Sequence, residues 1–165
     1  MSNYKGPYNS FSESAEPIYN QSNILGTVSQ SNGVPTGAII ERGSNANGEW
    51  VKYAGGTLIC WRTFVVDEVS NIDTRSGITS HRIADAVDYP ATFSSVQSAA
   101  LSINTFDSDS NSLRRHSWAG GFSQNAGNQP LRNDHWYRPF ILSLESDTSS
   151  IVGMEVSLIA IGRWY

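Results

Sequence analysis

Charge is scarce in this sequence. Asp, Glu, Lys and Arg make up 16% of its 165 residues, against about 25% in an ordinary soluble domain, and the net charge is a mildly acidic −4. A nucleic-acid partner needs clustered Lys and Arg to replace its counterions, so DNA and RNA are disfavoured. Cysteine is scarcer still: Cys60 stands alone, which excludes an intrachain disulfide. It lies between Ile59 and Trp61 in an apolar run, the setting of a small core residue. A nucleophile would want an electropositive, partly exposed position beside a base. Long hydrophobic runs are missing too. No segment approaches the ~20 apolar residues of a membrane span, and Met1-Ser2-Asn3-Tyr4-Lys5 opens no signal-peptide core. The expectation is a soluble chain made in a cytoplasm, without membrane insertion.

What the sequence does hold is glycine, serine, asparagine, threonine and aromatic residues, the composition of a turn-rich β protein. Residues 1–36 are nearly free of charge and have no sustained period, so they read as an extension or linker. Ile18, Tyr19, Ile24, Leu25 and Val28 are its available anchors, expected to pack on neighbouring copies of the chain, with packing on its own domain as the alternative.

Residues 37–165 read as one β domain. Glu49-Trp50-Val51-Lys52-Tyr53 alternates, Ala54-Gly55-Gly56 supplies a turn, and Thr57-Leu58-Ile59-Cys60-Trp61 returns as a hydrophobic strand. Asn47-Gly48 marks a sharp turn before it. Further strands are expected over residues 62–66, 78–84, 95–106, 113–122, 136–144 and 151–163, with 71–77 as a loop. A helix over residues 80–87 is the one competing pattern, too short to change the class. The expected fold is therefore all-β, an antiparallel β-sandwich of about six main strands plus an N-terminal hairpin. In the last strand Val156, Leu158, Ala160, Gly162 and Trp164 share one face, and Ser157, Ile159, Ile161, Arg163 and Tyr165 the other. Both faces are apolar at mid-strand, so the second requires a covering loop or another subunit.

Two loop-flanking clusters mix planar aromatic surface with cationic and hydrogen-bonding groups. One is Arg114-Arg115-His116-Ser117-Trp118; the other is Asn133-Asp134-His135-Trp136-Tyr137-Arg138. A carbohydrate needs that mixture: the C–H face of a pyranose stacks on an aromatic ring, its hydroxyls bond to polar side chains, and an acidic sugar adds a demand for Arg. The candidate ligand-binding residues are Arg115, His116, Trp118, Asp134, His135, Trp136, Tyr137 and Arg138, weighed against plain core roles for Trp118 and Trp136.

No metal or other cofactor is expected. Asp107-Ser108-Asp109-Ser110-Asn111 begins like a calcium loop but lacks its glycine and its closing glutamate, and His81, His116 and His135 have no zinc spacing. On a threefold axis, though, one His would supply three ligands. An enzyme is also not expected. A glycosidase needs two carboxylates about 5–9 Å apart, and adjacent Asp67 and Glu68 point to opposite faces of a strand. There is no G-x-S-x-G elbow and no β-helix repeat of the depolymerase type.

Residues 37–61, GAIIERGSNANGEWVKYAGGTLICW, resemble the motif that opens the C-terminal receptor-binding domain of many bacteriophage and prophage tail fibres. Tyr89-Pro90-Ala91-Thr92-Phe93 and the closing Leu158-Ile159-Ala160-Ile161-Gly162-Arg163-Trp164-Tyr165 fit the same family. With residues 20–36 these segments cover about half the chain. Gly55-Gly56 stands where the family usually has Asp-Gly, and serves a tight turn equally well. Several such tips resemble H-type lectins, six-stranded sandwiches that trimerise and bind sugars between subunits. The resemblance implies an intertwined homotrimer at the tip of a fibre, with residues 1–36 joining shaft to tip. It implies a virion protein made in the host bacterial cytoplasm, whose partners are a bacterial surface polysaccharide (capsule or lipopolysaccharide) and the remainder of the phage tail or baseplate. A trimerising cap without its own receptor site is the alternative, and a polysaccharide depolymerase is third. The matched motifs are scaffold motifs and carry no sugar-binding signature, so the candidate site rests on the residues themselves.

Overall fold

A computed structural model describes residues 24–103, 117–122, 131–143 and 153–165, with the backbone alone at 71, 72 and 117–119. In chain order the strands are β1 (Gln30–Ser31), β2 (Val34–Pro35), β3 (Ile40–Asn45), β4 (Gly48–Tyr53), β5 (Thr57–Val65), β6 (Ser70–Arg75) and β7 (Ile78–Arg82). There follow β8 (Ala86–Asp88), β9 (Ser95–Ile103), β10 (Ser117–Phe122), β11 (His135–Tyr137), β12 (Pro139–Ser143) and β13 (Glu155–Arg163). The fold is all-β, and no helix occurs among the described residues.

Residues 37–61 form the first three strands of a five-stranded antiparallel sheet, ordered β3-β4-β5-β13-β9. The β3–β4 hairpin turns at Ala46-Asn47, where Asn45 Oδ1 accepts the Asn47 N–H at 2.9 Å. Gly48 follows at φ 129°, and a Cβ there would run into the Trp61 carbonyl oxygen, so glycine is required on both counts. The β4–β5 hairpin turns through Ala54-Gly55-Gly56, closed by a 2.9 Å bond from the Gly56 N–H to the Tyr53 carbonyl. The chain's last residues fasten this turn. Trp164 donates its backbone N–H to Gly56 O at 3.1 Å and its indole N–H to Tyr53 O at 2.9 Å, while the Tyr165 hydroxyl donates to Ala54 O at 3.2 Å. Ala54 in turn donates its N–H to Ile39 O at 2.8 Å.

A four-stranded antiparallel sheet, β10-β12-β7-β6, and the two-stranded pairs β8–β11 and β1–β2 make up the rest. The elements share a core because alternate strand residues face each other. Leu58, Cys60, Leu158 and Ala160 of the five-stranded sheet pack on Val87, Tyr89, Phe93 and Trp136. Beside them Val156 joins Val66, Ile83, Ile141 and Met154. At the sheet rims Gly120 of β10 lies so close to Leu101 of β9 that a side chain would not fit.

Along β13 the alternation is as the sequence reads: Val156, Leu158 and Ala160 are fully buried, whereas Ile159 and Ile161 are 39% and 37% exposed. Cross-strand register lines them up with apolar neighbours. Val51, Ile59 and Ile161 form one row, and Trp61, Ile159 and Ala100 the next. The outer face of the five-stranded sheet thus carries an apolar stripe.

Two local expectations are corrected, and one competing pattern is settled. Residues 71–77, read as a loop, contain most of β6, because an edge strand bonded to one neighbour tolerates the polar sequence Ser70-Asn71-Ile72-Asp73-Thr74-Arg75. The strand expected over 78–84 is present as β7, and the competing helix over 80–87 is not formed, since β7 runs to Arg82 and β8 begins at Ala86. The strand expected over 136–144 breaks at Arg138, whose φ of 44° sends β11 and β12 into different sheets. Of the proposed anchors in the extension, Val28 is buried, and its N–H donates to Glu41 Oε2 at 2.9 Å. Leu25 forms a parallel bridge with Ile40. Ile18 and Tyr19 lie outside the described residues.

Candidate functional site

The site is built on the break between β11 and β12. β11 pairs with β8 so that Tyr137 lies opposite Ala86 and His135 opposite Asp88. Two backbone bonds hold the switch of sheets: the Arg138 N–H donates to Asp85 O at 3.1 Å, and the Ile83 N–H donates to Pro139 O at 3.0 Å. A left-handed backbone at a residue other than glycine costs about 1–3 kcal/mol and persists only where its surroundings enforce it.

Alternation along β11 sorts the sequence cluster into two sets. Trp136 turns inward, 1% exposed, with its ring 4.4 Å from Tyr89 in an edge-to-face contact at 70°. It is a core residue and leaves the set of ligand-binding candidates. His135 and Tyr137 take the opposite face of β11, where both are half-buried, and form an aromatic ledge with ring centroids 5.8 Å apart. Guanidinium groups flank it: Arg132 Cζ lies 5.8 Å and Arg138 Cζ 5.1 Å from the Tyr137 centroid, both within cation–π range. Asp134 Oδ1 is 3.0 Å from His135 Nδ1.

Asp85, from the turn before β8, reaches this cluster from a distant part of the chain. It forms an ion pair with Arg82 and lies 3.9 Å from Arg138 Nε. Arg82 and Asp85 also line a cleft of about 230 Å³ with Glu68, Ser70 and Ile83. Among the described residues, no carboxylate comes within ion-pair distance of Arg132. Sequence reasoning missed three of these residues. Arg132 was legible as a direct extension of the run 133–138; Asp85 and Arg82 had no sequence signal, since only the β8–β11 register brings them in.

The other predicted cluster falls largely outside the described residues. Arg115 and His116 lie outside the described residues, and Trp118 belongs to β10, where the backbone alone is described. β10 begins at Ser117 opposite Ser143, whereas Pro139, next to Arg138, pairs with Phe122. The backbone of Ser117 and that of Pro139 therefore lie toward opposite ends of one ladder.

Elsewhere the polar groups are structural. His81 is fully buried, its Nε2 2.8 Å from Ser143 Oγ. Burial pushes the Cys60 thiol up to about 12 and raises the Tyr89 phenol as well, which keeps both neutral. No cluster of metal-ligating side chains occurs among the described residues. Chemically, the 131–138 surface offers hydrogen bonds, positive charge and an apolar ledge, which are the means to hold a ligand. Set against known proteins, the chain matches no family model, no curated protein and no solved structure, so its function is read from its own residues.

Proposed function

We propose that this chain is the receptor-binding tip of a phage tail fibre, which adsorbs to a bacterial surface glycan through the residues around Tyr137. The observation that carries the reading is the ledge of His135 and Tyr137, ringed by Arg132, Asp134 and Arg138 on a backbone strained at Arg138. That combination suits a pyranose, which is apolar on its C–H face and polar at its rim. In this reading the two layers are the halves of an antiparallel β-sandwich, and three copies associate through the apolar outer face of the five-stranded sheet. Three weak sites on one rigid tip bind a repetitive polymer far more strongly than one. The tail-fibre assignment itself rests on the resemblance of residues 37–61, 89–93 and 158–165.

The test is retention of the purified protein on surface polysaccharides from a panel of bacterial strains, with Tyr137→Ala alongside and the polysaccharide sized afterwards. Tyr137→Ala is expected to weaken binding about tenfold or more, the stacking contribution of one ring, without change in fold or oligomeric state. The burial of Trp136 favours a second reading, a structural cap that trimerises the fibre without a receptor site of its own. Absence of binding to every strain would favour that cap. Shortened polysaccharide would mean an enzyme.

A further inference from the structure

We infer that the chain holds a second glycan subsite, a notch at the end of the β3–β4 hairpin that takes one uncharged pyranose unit of the same polymer. This rests on the glycan-binding reading and adds to it a place remote in sequence from Tyr137.

Unequal strand lengths make the notch. β5 runs nine residues, Thr57–Val65, whereas β4 starts at Gly48, and the outermost β4–β5 partners are Glu49 and Trp61. Past Trp61, no strand lies on that side of β5 among the described residues. A cleft of about 430 Å³ opens there, between Ser44, Asn45 and Glu49 of the hairpin end and Trp61, Arg62 and Phe64 of β5. The hairpin wall is fixed in place: the Asn45 amide accepts the Asn47 N–H on Oδ1 and donates from Nδ2 to Pro90 O, each at 2.9 Å.

The lining then selects the ligand. Glu49 and Arg62 are its charged residues, one of each sign. Among the described residues no cation stands within ion-pair distance of Glu49, and no carboxylate within that distance of Arg62, whose guanidinium lies 5.5 Å from the Phe64 centroid. An acceptor and a donor fork thus line one cleft without satisfying each other. Sugar hydroxyls both donate and accept, so one pyranose serves the two together, whereas an ion would be attracted by one and repelled by the other. Half-buried Trp61 supplies apolar surface for the C–H face. Its row continues to Ile159 in the apolar stripe, and its hairpin side opens on the cleft. The open edge of β5 adds backbone donors and acceptors.

Notch and ledge are fastened to the same short segment. Pro90 O takes the Asn45 amide, and the Tyr89 N–H donates to Asp134 O at 3.0 Å. Their spacing is therefore constant, and a polymer long enough to reach both gains from the second contact without a new encounter.

The experiment uses the full chain, the neutral polysaccharides of the panel, and fragments of graded length cut from a retained one. Glu49→Ala and Arg62→Met should each weaken retention of the polymer about tenfold, the scale of one charge-assisted hydrogen bond. Glu49→Ala should also abolish the gain in affinity with fragment length while leaving short fragments bound at Tyr137. Arg42→Gln, on β3 outside the notch, should bind as wild type. Wild-type retention by both notch variants, with Tyr137→Ala impaired, would overturn the second subsite and leave glycan binding intact. An Arg42→Gln loss equal to that of Arg62→Met would overturn it in favour of diffuse charge attraction. Retention of charged polymers alone would overturn the uncharged ligand. Retention of no polymer at all would overturn both readings.

Discussion

At the scale of single residues, burial governs the acid–base behaviour of the core. Cys60 and Tyr89 are packed together with Phe93 and Trp136, and desolvation raises both groups above their ordinary values. Each is neutral in the folded chain and ionises more readily once unfolded. Their contribution to stability is thus complete below the unfolded values, 9.0 for the thiol and 10.0 for the phenol, and is lost as pH rises through the folded ones. The urea midpoint should be level from neutrality to about pH 8.5 and fall steadily above about pH 9, with Cys60 unreactive toward a thiol reagent until the chain unfolds. A midpoint that stays level to pH 11 would contradict the placement of both groups. The same residue scale shows what the sequence could and could not tell about the site. Asp134, His135, Tyr137 and Arg138 were legible because they are consecutive and chemically varied. Trp136 was legible in principle as core, since its two strand neighbours take the opposite face. Asp85 was not legible, because it joins through the ladder Ala86↔Tyr137, whose partners are 51 positions apart in the chain.

At the scale of elements, strands with one strong alternation were easy to read and polar or broken ones were not. β4 and β5 match their expected bounds to within about a residue, and β13 ends at Arg163 as expected but begins only at Glu155. β6 escaped because a sheet edge does not demand apolar side chains, and the break at Arg138 escaped because a left-handed φ is not written in an arginine. The element with the clearest energetic signature is the closing segment on the β4–β5 turn. Trp164 contributes two hydrogen bonds to Tyr53 and Gly56 and packs against the core cluster. Trp164→Ala should lower stability by about 1–3 kcal/mol, combining one lost hydrogen bond with partial loss of packing. Trp164→Phe should recover the packing part, leaving a deficit of about 1 kcal/mol. Urea unfolding of both variants measures this, and an unchanged midpoint in Trp164→Ala would show that the segment only rests on the turn.

At the scale of the whole molecule, the apolar stripe of Val51, Ile59, Trp61, Ile159 and Ile161 is half-buried at its first three residues and exposed at Ile159 and Ile161 among the described residues. Ile161→Glu should shift the sedimenting species from three chains to one, because a carboxylate in a dry interface costs several kcal/mol per subunit. Wild-type protein sedimenting as a single chain would remove the trimer from the proposal. The all-β class was legible from turn spacing and alternation, and so was the second apolar face of β13. A last consequence follows from Ala54, which takes Tyr165 on its carbonyl and gives its N–H to Ile39. Fraying in most domains starts independently at two loose ends. Here the residue that leads into β3 and the residue that follows β13 are tied to one residue of the β4–β5 turn, so release of either loosens the other, and opening of this part of the sheet becomes a single cooperative event.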